Sequence, residues 1–269
     1  EYEDVDTHNE SIYNMVQNSF AKRIEHVMEQ CLRVCHVVER NIKRGHFPIV
    51  LSGDHSSALG TISGIKDARP DLRLGVIWID AHADLHSPFT TPSGNVHGMP
   101  LAAMLGDDNL ASQINQPQSN EVSLWESIKT LGNEITPKVL PQNIVFIGIR
   151  DLEQPEWDMI ERLNIKYFGP QDIEKLGIEE VCMQAKTHLK SVENWYVSFD
   201  VDSIDPNISM GTGTPVALGL SKEEAYHCTK AFFNDPKTKA FEVTEINPLL
   251  DSENKMAAFV HDLLYNLWS

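Results

Sequence analysis

Little in this sequence points toward membranes, nucleic acid or secretion. Cysteine is scarce: Cys31, Cys35, Cys182 and Cys228 are the only four in 269 residues. They are too few and too scattered for a disulfide framework, and a reducing cytoplasm fits best. No apolar run reaches the roughly 18 residues of a membrane helix, and Glu1 to Glu10 is acidic, unlike a signal peptide. Basic residues are also in deficit, with 22 Lys+Arg against 39 Asp+Glu and a formal net charge of −17. An acidic surface repels phosphate backbones, so neither a nucleic-acid nor a membrane partner is expected. No repeat, low-complexity tract or Pro/Gly/Ser linker divides the chain, and a hydrophobic content of 41% excludes disorder. A single domain over 1–269 is expected. Residue 1 is Glu rather than Met, which suggests that an N-terminal piece is lacking.

What is present is an alternation. Short apolar runs cover Phe47 to Leu51, Leu74 to Ile79, Asn143 to Ile149, Ile165 to Phe168, Trp195 to Phe199 and Lys239 to Val243. Helical spacing covers Ile12 to Lys43, Ala58 to Lys66, Trp157 to Leu163, Ile178 to Leu189, Lys222 to Phe233 and Asn254 to Leu267. Strands alternating with helices predict a three-layer α/β/α fold with a mostly parallel central sheet. Gly45 is expected to stop the first helix and Pro48 to open the strand after it. Leu105 to Pro141 is polar and irregular, predicting a short helix among surface loops. Cys31 and Cys35 share a helix face near His36, but buried free thiols explain this better than a metal site.

The chemistry gathers after the strands. Leu51 is followed by Asp54 and His55, and Ile79 by Asp80, His82, Asp84 and His86. Phe199 is followed by Asp200, Asp202 and Asp205, and Val243 by Glu245. In a parallel sheet these ends share one rim, where ligands bind. Crowded carboxylates repel one another and need cations. Arg150 is the clear basic residue nearby, so bound divalent metal is the economical answer. Alternation at 80, 82 and 84, and at 200 and 202, is expected to aim these side chains the same way from extended segments. Asp54 and Asp205, taken alone, read as ordinary caps. Carboxylates with two imidazoles suit Mn²⁺, with Co, Ni and Fe left open.

Gly53-Asp54-His55-Ser56, Asp80-Ala81-His82-Ala83-Asp84 and Ser198-Phe199-Asp200-Val201-Asp202-Ser203-Ile204-Asp205-Pro206 together resemble the three metal motifs of the ureohydrolase (arginase/agmatinase) family. The likeness runs from about residue 45 to the C-terminus. Thr90 to Gly98, Gly211 to Pro215 and Glu245-Ile246-Asn247-Pro248 are most similar to arginases. The resemblance implies an arginase-like fold and two Mn²⁺ ions per chain. One would be held by His55, Asp80, Asp84 and Asp200, the other by Asp80, His82, Asp200 and Asp202.

It further implies hydrolysis of L-arginine to L-ornithine and urea by a metal-bridging hydroxide. Asp84 would orient that hydroxide, Glu245 would hold the guanidinium and His97 would shuttle the proton. Substrate contacts would come from His86, Ser93, Asn95, Asp151, Glu153, Glu156, Thr214 and Glu245. Taken alone, His97 is an ordinary loop residue, Ser93 and Asn95 are turn formers and Glu156 is an exposed charge at a helix start. Two positions depart from the arginase pattern. His86 stands for an asparagine at the substrate carboxylate, and Glu153 for an aspartate at the α-amino group. They leave agmatinase, guanidinobutyrase and formimidoylglutamase as alternative activities, beside an inactive metal-binding relative. The family's first strand has no counterpart ahead of residue 10, and its members suggest a homotrimer or homohexamer.

Overall fold

Every apolar run lies in one sheet. The computed structural model describes residues 2–7 and 9–268. Its strands are β1 (Ile49–Leu51), β2 (Leu74–Ile79), β3 (Ile144–Ile147), β4 (Lys166–Phe168), β5 (Asn194–Asp200) and β6 (Thr238–Thr244). They are ordered β1-β6-β5-β2-β3-β4, and all pairings are parallel. β2 and β3 are buried throughout, which is why their sequences are nearly continuous in hydrophobicity.

The helices are α1 (Ile24–Lys43), α2 (Ser57–Ala68), α3 (Pro100–Leu105), α4 (Ser119–Lys129), α5 (Gln154–Leu163), α6 (Pro170–Leu176), α7 (Ile178–His188), α8 (Lys222–Phe233) and α9 (Lys255–Trp268). Alternate strand residues divide the core. Val76, Trp78, Phe146 and Tyr196 pack with α1 to α5, while Ile77, Val145, Val197 and Phe241 pack with α6 to α9. This is the expected three-layer arrangement. After β2 the chain crosses toward β3, but after β5 it crosses the other way, toward β6. The crevice of such a sheet opens at the carboxyl ends on either side of that reversal, and Asp80 and Asp200 stand there. Among the described residues no helix is long and apolar enough to cross a membrane.

The helix expected over Ile12 to Lys43 begins only at Ile24. Ahead of it lie one 3₁₀ turn, Asn9–Tyr13, and irregular chain. Arg23 adopts a left-handed conformation, φ 57°. Backbone groups there bond elsewhere: Phe20 N–H donates to Glu121 Oε1 (2.7 Å) and Lys22 N–H to the Gly94 carbonyl (2.7 Å). Tertiary bonds thus replace helical ones. Residues 2–7 form no strand.

α1 and α2 pack tightly against each other, and small residues permit it. A Cβ at Gly60 would stand 2.4 Å from the Cys31 carbonyl oxygen, and one at Gly64 2.5 Å from that of Cys35. The four-residue spacing of the cysteines therefore serves packing. Both thiols are free and buried, and His36 is exposed on another face. Burial, with Asp67 alongside, pushes Cys35 up to about 12, so it stays protonated and inert. Gly60→Ala should lower stability by about 1–3 kcal/mol through overpacking. Helix propensity alone predicts a gain of about 1 kcal/mol, so the sign of the change in urea midpoint distinguishes the two.

Candidate metal centre

His55 is the axle of the site. Its ring stacks on Trp78 at 3.9 Å between centroids, nearly parallel at 7°. Nε2 lies 2.7 Å from Ser198 Oγ. Nδ1 faces Asp80 Oδ2 and Asp84 Oδ2, both at 3.0 Å, and Asp200 Oδ2 at 3.1 Å. His82 Nδ1 similarly lies 3.1 Å from Asp202 Oδ2 and 3.5 Å from Asp80 Oδ1. Two donor clusters result, His55/Asp80/Asp200 and Asp80/His82/Asp202, with Asp80 common to both.

The convergence does not come from strand alternation. Asp80 Oδ1 accepts the His82 N–H (2.7 Å), and Asp200 Oδ1 accepts the Asp202 N–H (2.8 Å). Each carboxylate thereby turns the chain back on itself, and Asp202 sits in a 3₁₀ turn, Val201–Ser203. Asp84 is left-handed at φ 52°, a strained backbone of the sort found at functional sites. The segments expected to be extended are therefore turns. Asp54 bonds the Ser56 N–H, and Asp205 bonds the N–H groups of Asn207, Leu218 and Gly219. Both organise loops.

The donor set fits divalent cations. His55 Nδ1 and Asp80 Oδ2 are buried without a hydrogen-bond partner, an arrangement that costs free energy unless something else binds them. The contact of Nε2 with Ser198 Oγ fixes the ring so that Nδ1 points into the carboxylates, where a metal would take its lone pair. Burial, then the charges of Asp202 and Asp80, pushes Asp200 well above the carboxylate range; burial and Asp80 take Asp84 up to about 6. Burial alone would lower His82, but hydrogen bonds to Asp202 and Asp80 push it up to about 12. Protons hold these carboxylates together where cations would. Arg150 makes no ion pair with them: its guanidinium donates to the carbonyls of Gly148, Asp202, Val216 and Ala217. Mn²⁺ at a hundred times its Kd should stabilise the fold by about 2.7 kcal/mol. The melting temperature should rise roughly 5–10 °C, and a chelator should reverse it.

Above the cradle, Glu245 Oε1 accepts the His55 N–H (2.9 Å) and lies 3.3 Å from His97 Nδ1. Glu245 is itself left-handed, φ 66°. The hydrogen bond to Glu245, opposed by burial, pushes His97 up to about 9. His97 lies in the turn Val96–Gly98, at the end of the loop exposing Ser93 and Asn95. This loop is braced from behind, since Gly94 (φ 76°) is so close to the chain before α1 that a Cβ would meet the Ser19 carbonyl at 2.0 Å.

On the opposite rim, Asp151 is exposed, 3.8 Å from His82 Nε2. Glu153 caps α5, and His86 Nε2 reaches its Oε2 at 3.0 Å. The two departures from the arginase pattern thus touch each other. Glu156 is buried rather than exposed, accepting the N–H groups of Leu85 and Glu153. Thr214 donates to Asp202 Oδ2 (2.9 Å). The supports beneath the site escaped sequence reasoning. Trp78, Ser198 and Glu242 stand in register on three adjacent strands. Glu242 is fully buried, accepting from Tyr196 and Ser52. Ser198 and Glu242, polar residues inside apolar runs, were the available signal.

A parallel α/β sheet with two linked carboxylate–imidazole clusters at its reversal defines a two-metal hydrolase. The Arginase family model matches residues 2–268. An arginase of Brevibacillus brevis is 39% identical over 237 residues, covering 88% of this chain and 73% of that protein. The crystal structure of a Bacillus subtilis arginase superposes with a TM-score of 0.82 at 33% identity, over 94% of this chain and 80% of that one. An Entamoeba histolytica arginase in complex with L-ornithine gives 0.79 at 28%, over 95% and 80%. The chain belongs to the arginase family.

Proposed function

We propose that this protein is an arginase, hydrolysing L-arginine to L-ornithine and urea. The observation that carries the reading is Glu245, poised over the two donor clusters with His97 beside it. His55, Asp80, Asp84, Asp200, His82 and Asp202 would hold two divalent ions, for which Mn²⁺ suits the carboxylate-rich donors. Such ions, when bound, lower the pKa of water so that hydroxide forms near neutral pH.

The remaining steps belong to the chain. His55 and His97 both address Glu245 Oε1, leaving Oε2 to accept hydrogen bonds from the guanidinium and set its carbon over the cradle. Asp84 accepts a hydrogen bond from the nucleophile and so orients its lone pair. The collapsing tetrahedral carbon expels an amine, which leaves only when protonated; protonated His97 supplies that proton. Ser93 and Asn95 face the substrate's carboxylate end, with Asp151, Glu153, Glu156 and His86 on the other rim. Thr214 acts through Asp202. A homotrimer or homohexamer in the cytoplasm agrees with the family resemblance and with four free, buried thiols.

The test is urea release by Mn²⁺-loaded protein from arginine, with agmatine and guanidinobutyrate alongside and formamide release from formimidoylglutamate. Turnover of arginine well above the others is expected. Preference for any of the others overturns the substrate, and metal uptake without turnover overturns the enzyme.

A further inference from the structure

The His86–Glu153 contact lies outside the two clusters that share Asp80 and, with Glu156, forms a third group of candidate donors; His86 comes two positions after Asp84. The His86 side chain is only 8% exposed, whereas that of Glu153 is 55% exposed. The ring is held between two partners. A carboxylate can only accept, so the 3.0 Å contact between Nε2 and Glu153 Oε2 places the ring hydrogen on Nε2, and Nδ1 faces Thr90 Oγ1 at 3.1 Å. Glu156 fixes the same corner from below by accepting the Glu153 N–H (3.1 Å) and the Leu85 N–H (3.2 Å). Burial, then contact with Glu153, drives Glu156 well above the carboxylate range. Burial opposes charge on Glu153, but hydrogen bonds from His86 and Glu156 hold it below that range. The result is one fixed, accessible negative charge on the rim, its direction set by a buried imidazole. A carboxylate held this way is suited to an alkylammonium group.

We propose that His86 is a positioning residue for specificity: it fixes the direction of the Glu153 carboxylate, which the family resemblance places at the substrate's α-amino group, and selection for that ammonium depends on the buried imidazole behind it. The inference rests on the reading of the site as a guanidine hydrolase.

Steady-state kinetics on Mn²⁺-loaded protein test it with arginine, which has that ammonium, and 5-guanidinopentanoate, which lacks it. His86→Leu and Glu153→Gln should raise KM for arginine about tenfold, with kcat within about threefold. KM for 5-guanidinopentanoate should move less than about twofold. His86→Gln, which returns an N–H near the position of Nε2, should recover most of the loss. Calorimetric binding of ornithine should show the same ranking without turnover. Glu153→Gln is a safe variant, because α4 already carries the equivalent capping box with Gln118 and Glu121, and it carries the test by itself should His86→Leu not fold. Equal KM rises for both substrates, or His86→Gln behaving like His86→Leu, overturns the proposal. Wild-type protein that releases urea from neither substrate instead overturns the functional reading beneath it.

Discussion

Asp80→Asn should reduce kcat/KM by on the order of a thousandfold or more, about 4 kcal/mol of transition-state stabilisation. Asp80 is the residue common to both donor clusters, with Oδ2 toward His55 and Oδ1 toward His82. Asparagine keeps the shape and the carbonyl that accepts the His82 N–H, so the turn survives while the charge common to the two donor clusters is lost. Metal content should fall from two ions per chain toward one or none, while circular dichroism stays unchanged. Two tightly held ions, or undiminished turnover, would show that the two clusters act independently of Asp80.

His97→Asn should lower kcat by about 10²- to 10⁴-fold, the usual worth of a positioned general acid, with KM changed far less. The pH dependence gives the sharper test. Pairing with Glu245 raises His97 to about 9, so its protonated form, the one able to deliver a proton, exists below that pH and disappears above it. Bound cations push the value down, because they disfavour a nearby positive charge. In the wild type, kcat should therefore fall on the alkaline side with a midpoint at or below about 9. His97→Asn should lose that limb. A limb that persists in the variant assigns the titration to another group.

The strands were legible because both faces of the sheet are covered, which forces runs such as Leu74 to Ile79 to be apolar throughout. The candidate metal residues were legible because they crowd within a few positions after such runs. Less visible was how they converge. Asp80 and Asp200 curl the chain with their own carboxylates, and nothing in an Asp-x-His or Asp-x-Asp spacing distinguishes that turn from an extended segment. α3 and α6 escaped because they are short and announced mainly by Pro100 and Pro170 at their first turns. The helix over-read before Ile24 has the opposite cause: Ile12 and Met15 follow helical spacing, but they are 58% and 87% exposed. Periodicity without a surface to cover carried no stabilisation there. Trp78, Ser198 and Glu242 lie far apart in sequence, and only the register of three strands brings them under one imidazole.

The contact between Gly94 and the chain ahead of α1 makes the loop that carries His97 dependent on a stretch outside the candidate site. Lys22 grips the Gly94 carbonyl, and Ser19 lies where any side chain at 94 would have to go. Variation near residues 18–23 thus reaches turnover indirectly, by changing how stiffly the histidine's support is backed. Engineers trimming this region as dispensable should find a protein that still loads its ions but works slowly.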